Sequence, residues 1–131
     1  MNSRSIAAAI ATAAIFFAPG AHAQSFINIL TGGTSGVYYP LGVAIGKIYS
    51  ERIPDVKTQV QATKASVENL ILLQQGRGEL AFALGDSLKA AWEGDEDAGF
   101  KSRLNRLRTI GAIYPNYIQI VATSDSGIKT L

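Results

Sequence analysis

The 131-residue chain contains no cysteine. Disulfides, thiolate nucleophiles and cysteine-held metals are therefore excluded. Histidine is almost as scarce: the single one, His22, lies in an N-terminal stretch with the pattern of an export signal. Arg4 supplies the positive start, and residues 6–18 form an apolar run of Ala, Ile and Phe. Pro19 and Gly20 break that run, and Ala21-His22-Ala23 offers a cleavage site before Gln24. The run is too short to span a bilayer, and no cysteine follows it to carry a lipid. The sequence thus predicts a cleaved signal peptide over 1–23, a mature chain from Gln24 and a periplasmic location. That mature chain has neither His nor Cys, so a Ser-His-Asp triad and a His-based metal site are both excluded. Net charge is also small: 12 Lys and Arg against 10 Asp and Glu leave +2, which gives no field for nucleic acid. The densest acidic run, residues 93–97, fails as a calcium loop. Counted from Asp95, the glycine place holds Phe100 and the closing glutamate place holds Arg106. It reads as a solvated loop, in a chain whose 47% hydrophobic content indicates a folded domain.

The chain is organised around Thr31-Gly-Gly-Thr-Ser-Gly-Val-Tyr-Tyr-Pro-Leu-Gly42. An apolar run, 26–30, leads into it. A helical pattern follows, with Leu41, Ile45 and Ile48 on one face and Pro40 near its start, where a missing N–H costs nothing. This is a strand, a glycine-rich turn and a helix. Glycines let the backbone approach a ligand closely, and the free N–H groups of a helix start attract an anionic or polar group. Thr34, Ser35, Tyr38 and Tyr39 add hydroxyls at the same place. No Gly-Lys-Ser/Thr closes the turn as in a P-loop, no G-x-G-x-x-G is present, and Gly33-Thr-Ser-Gly36 is one residue too short for a hydrolase elbow.

Further along, 38–52 reads as a helix ending before Pro54. Residues 56–62 alternate as a half-exposed edge strand. Thr63-Lys-Ala-Ser-Val-Glu-Asn69 opens a second helix capped by Thr63 or Ser66, with Val67, Leu70 and Ile71 as its buried stripe. Residues 80–84 form a third strand. It delivers Asp86 and Ser87, with Asp86 as cap of a short helix over 88–92. The order β-α-β-α-β-α with short connections predicts an α/β fold with a doubly wound, mostly parallel sheet. Ligands bind such sheets beyond the carboxyl ends of the strands. Three polar clusters, 34–39, 63–69 and 86–87, fall at that rim. Residues 93–108 read as an exposed charged loop and helix start. Two more apolar runs, 109–114 and 118–123, flank Pro115-Asn116.

The blocks Gly32-Gly-Thr-Ser-Gly-Val-Tyr-Tyr-Pro-Leu-Gly42, Thr63-Lys-Ala-Ser-Val-Glu-Asn-Leu70, Ile113-Tyr-Pro-Asn-Tyr-Ile-Gln-Ile-Val121 and Asp125-Ser-Gly-Ile128 together resemble one family. It is the TRAP-associated extracytoplasmic immunogenic (TAXI) family, the solute receptors of tripartite ATP-independent periplasmic (TRAP) transporters. The resemblance implies a two-lobed type II periplasmic-binding-protein fold that closes on a small carboxylate such as glutamate. It implies delivery of that solute to membrane permease subunits, with no ATPase, no cofactor, no metal and no reaction. Members are about twice as long as this chain. By that measure residues 24–115 are the first lobe, 116–131 are the crossing strand and the start of a second lobe, and the rest of that lobe is missing. Carried over by position, the ligand-facing residues are Gly33, Thr34, Ser35, Gly36 and Tyr39 from the first loop, Ser66 and Asn69 from the second block, and Asp86. Members often carry Gly where this chain has Lys64 or Ala65. No Arg occupies the three rim clusters, so the resemblance implies anion binding through hydroxyls and backbone N–H groups. Two other readings stay open: a ligand-sensing module of the same fold, and a secreted hydrolase working with carboxylates.

Overall fold

A computed structural model describes residues 24–130; the expected signal peptide lies outside the described residues. The elements are β1 (Ser25–Leu30), α1 (Tyr38–Arg52), β2 (Val56–Gln61), α2 (Ser66–Gln74), β3 (Leu80–Ala81) and α3 (Gly85–Glu93). The three strands make one parallel sheet in the order β2-β1-β3. Its register runs from Ser25 opposite Val56 to Leu30 opposite Gln61, and β3 pairs Leu80 with Ile29 and Ala81 with Leu30. The expected α/β architecture is therefore present: a parallel sheet flanked by helices, consistent with part of a periplasmic-binding-like lobe.

Side chains alternate across β1. Ile29 and Thr31 face α1, and Leu30 faces the other way. The α1 layer has a tight seam. Gly42 and Gly46 are the buried residues of that helix. A Cβ on Gly42 would stand 2.5 Å from Thr31 Cγ2, and one on Gly46 would stand 3.0 Å from Thr58 Oγ1. The helix thus lies on the sheet through two glycines one turn apart. The expected stripe of Leu41, Ile45 and Ile48 is only partly realised, since Ile48 is 54% exposed. Thr58, which Gly46 approaches, donates to the Gly46 carbonyl at 3.0 Å and makes a hydrogen bond with Ser50 Oγ at 3.0 Å.

The second layer holds the larger core: Leu70 of α2, Ala91 of α3, and Phe100, Leu104 and Leu107. Here the structure corrects the sequence expectation for 93–108. No helix starts there, and the stretch is not simply exposed. Asp95 accepts from the N–H groups of Asp97 and Ala98, the Phe100 N–H bonds the Asp95 carbonyl, and Gly99 takes φ 94°. This turn drives Phe100 inward, to 1% exposure. The Leu104 N–H then bonds the Ala91 carbonyl at 2.9 Å, which fixes the loop against α3. The charged residues between the three apolar ones stay outside.

Two further expectations are corrected. The third strand stops at Ala81 instead of Leu84, because the Phe82 carbonyl is taken by the Asn69 amide at 2.8 Å. The expected crossing strand at 116–123 is not formed: residues 109–123 have no regular secondary structure. A strand needs a neighbour to pair with, and Ile118 and Val121 are 92% and 88% exposed.

Candidate functional site

In the order β2-β1-β3, the connection after β1 leads to one side and β3 lies on the other. The switch point is thus between the carboxyl ends of β1 and β3, where open α/β sheets receive ligands. The N-termini of α1, α2 and α3 begin at the loops following β1, β2 and β3. Each helix start carries N–H groups without intrahelical acceptors.

The first loop is a tight turn. The Gly36 N–H donates to the Gly33 carbonyl at 2.9 Å, so that amide is engaged within the turn. Gly33, Thr34 and Ser35 are exposed at its tip. A Cβ on Gly33 would meet nothing within 4 Å, and one on Gly36 would stand 3.3 Å from the Gly33 carbonyl oxygen. Neither glycine has a positive φ. The tip therefore has open space above Gly33, while a side chain at Gly36 would press on the turn.

The second cluster is built differently from the sequence expectation. Neither Thr63 nor Ser66 caps α2; its N-cap is Ala65, with no side-chain cap. The Lys64 N–H donates to Glu68 Oε2 at 2.6 Å, and the Ala65 N–H donates to Thr63 Oγ1 at 3.0 Å. Ser66 Oγ is turned toward the third cluster and accepts from the Leu84 N–H at 3.0 Å. Asn69 is fully buried. Its Nδ2 donates to the Thr31 carbonyl at 2.6 Å and the Phe82 carbonyl at 2.8 Å, and its Oδ1 meets the Thr63 hydroxyl at 2.7 Å. All its hydrogen-bonding groups are used inside the fold, beneath the rim and not on it.

In the third cluster Asp86 is exposed in the first turn of α3. It is not the N-cap; that place belongs to Leu84. Its Oδ1 accepts from the Ser87 N–H at 2.6 Å, and the helix start favours its negative charge.

Tyr38 joins the clusters. Its ring stacks on Phe82, with centroids 5.2 Å apart, and meets Tyr114 at 6.4 Å. Burial pushes its hydroxyl above the ordinary tyrosine range. The charges of Tyr114 and Asp86 act in the same direction, and hydrogen bonds with the Ser66 and Asn116 side chains oppose it. At neutral pH the group is a protonated donor. Gly32 closes the remaining gap, since a Cβ there would touch Ala65 Cβ at 3.4 Å. The structure thus brings Ser66 and the segment entering α3 together with the first loop. The tyrosine that does so is Tyr38, while Tyr39, one position round the helix and half-buried, makes none of these contacts. No sequence motif singles out Phe82 or Tyr114, and Tyr38 stands there only as one of four loop hydroxyls, with Tyr39 as the tyrosine expected to face the ligand. Adjacent tyrosines point about 100° apart on a helix, and only the sheet order reveals which one faces β3.

Two grooves are present besides the rim, and the first reaches it at Gly85, where α3 starts. One of about 470 Å³ runs along α3 between Leu88, Trp92, Leu107 and Arg108. The other, about 460 Å³, lies beside residues 50–57, at the amino ends of the strands. Among the described residues no group of three or more His, Cys, Asp or Glu is placed to hold a metal, and no helix is long and apolar enough to cross a membrane.

Residues 29–131 match the NMT1-like family, which covers every element from the end of β1 onward. This family is of periplasmic-binding-protein type, solute-binding rather than enzymatic, and typically extracytoplasmic. With its parallel sheet, and a switch point bordered by helix starts, the chain belongs to the NMT1-like family.

Proposed function

We propose that the chain is the first lobe of an extracytoplasmic receptor that binds a small carboxylate, glutamate or a related solute, at the β1–β3 rim. Residues 24–115 form that lobe and 116–131 the crossing segment toward a second one. The receptor hands its solute to the permease subunits of a TRAP-type transporter and carries out no reaction. The observation that carries this reading is the meeting of three polar clusters at one switch point: Gly32 lies against Ala65 and Tyr38, Ser66 Oγ accepts from the Leu84 N–H at 3.0 Å, and Tyr38 stacks on Phe82. A carboxylate there is received by the N–H groups of the first loop and the helix starts, with the hydroxyls of Thr34, Ser35 and Tyr38 beside them. Family membership supports a solute-binding role, and a mature chain without His or Cys has no ordinary nucleophile–base pair to act on the solute.

Calorimetric titration of the mature chain with L-glutamate, L-glutamine and succinate tests this. Saturable one-to-one binding of at least one is expected; no heat from any of the three contradicts it. Export is checked separately. Protein recovered from the periplasm should begin at Gln24, and protein recovered only from the cytoplasm with Met1 in place would reject the signal.

A further inference from the structure

Ala65 has φ 71° and ψ −143°, a conformation that glycine adopts freely and alanine rarely. It sits directly before α2, against Gly32 of the first loop. What holds it there is a buried polar network. Both amide hydrogens of Asn69 are directed at main-chain carbonyls, Thr31 at the end of β1 and Phe82 just after β3. This orientation leaves Asn69 Oδ1 as an acceptor, and the Thr63 hydroxyl proton lies between it, at 2.7 Å, and the Thr31 carbonyl, at 2.9 Å. The same hydroxyl oxygen then accepts from the Ala65 N–H at 3.0 Å. The Asn69 N–H bonds the Ala65 carbonyl at 3.0 Å as the first backbone bond of α2. The Ala65 N–H is therefore tied to the Thr63–Asn69 pair, and the pair is tied to both strands of the switch point.

We propose that Thr63 and Asn69 are positioning residues: a clamp that keeps Ala65 in its glycine-type conformation and so presets the rim for the solute. Neither side chain touches the solute. The effect on binding rests on the reading of the rim as the solute site; the effect on Ala65 does not. A clamp of this kind has a signature that a merely stabilising network lacks. Glycine at position 65 removes the need for it.

The test uses the mature chain in two arms. In the ligand-free protein, NMR should show the strong intraresidue amide-to-α-proton cross-peak that a positive φ gives at Ala65. Thr63→Val should lose it while core resonances stay in place, and Thr63→Ser should keep it. In the second arm L-glutamate is the probe. Thr63→Val should weaken its affinity by about tenfold or more, the effect of one lost hydrogen bond. Thr63→Ser should restore the affinity, and Thr63→Val/Ala65→Gly should regain most of it. An Ala65 cross-peak unchanged in Thr63→Val overturns the clamp. So does a double variant binding no better than Thr63→Val. Should Thr63→Val fail to fold, folding of the double variant is the same rescue read as stability, and failure of both overturns the proposal. A wild-type chain that does not bind L-glutamate contradicts that choice of solute, and the cross-peak then decides the clamp alone.

Discussion

Gly42→Ala is expected to lower the melting temperature, although alanine is the better helix former. The intrinsic preference favours alanine by about 0.5–1 kcal/mol. Against it, the new Cβ would stand 2.5 Å from Thr31 Cγ2 and 3.2 Å from Val60 Cγ1. Thr31 cannot swing aside cheaply. It is fully buried, and its hydroxyl and its N–H both donate to the Gln61 carbonyl, at 2.8 and 2.9 Å. Either the side chain gives up a bond or α1 lifts from the sheet. Overpacking of this kind typically costs about 1–3 kcal/mol. For a domain of this size each kcal/mol shifts the melting temperature by about 4–8 °C. Gly85→Ala is the control, because a Cβ there meets nothing within 4 Å. Calorimetric melting of both variants decides: a Gly42→Ala protein as stable as wild type would mean that the glycine seam is not under compression.

Gly33→Val has the opposite profile: intact fold, lost binding. Gly33 has no positive φ, and a Cβ there meets nothing within 4 Å. It would instead fill the place above the first loop where the proposed carboxylate would meet the backbone. Losing a hydrogen bond to a charged ligand costs about 1.5–3 kcal/mol, or one to two decades in affinity. The melting temperature should stay with wild type while the titration with L-glutamate falls by that amount. Wild-type affinity in this variant would show that the turn only connects β1 to α1. Gly36→Val does not separate these outcomes, because its side chain would push on the Gly33 carbonyl and open the turn.

Much of this fold was legible in local signals. Helix α1 occupies the expected 38–52, bounded by a glycine-rich turn and by Pro54. Strand β2 shows the expected alternation, with exposed Lys57 and Gln59 between half-buried neighbours, and it lies at the sheet edge. What was not legible depends on partners distant in sequence. Gly42 and Gly46 look like ordinary weak points of a helix until the register puts Thr58 and Val60 beneath them. Phe100, Leu104 and Leu107 are masked by the charges between them, and only the Asp95 turn reveals that they face inward. Ser66 and Asp86 are ordinary capping residues by type, yet neither is an N-cap here: Ser66 accepts from the Leu84 N–H and Asp86 from that of Ser87. Asn69 is expected at the ligand from its position in the second block, whereas its amide is taken by carbonyls of two separate strand ends.

Solute is proposed to be received at the carboxyl ends of β1 and β3. The most direct measurement is an NMR titration of the isotope-labelled mature chain with L-glutamate, mapping which amides move. The prediction is saturable shifts at Gly33, Thr34, Ser35, Ala65, Ser66 and the start of α3, with the β2 end near Asp55 unmoved. Shifts confined to the α3 groove around Trp92, Leu107 and Arg108, or no saturable shift at the rim, would contradict it.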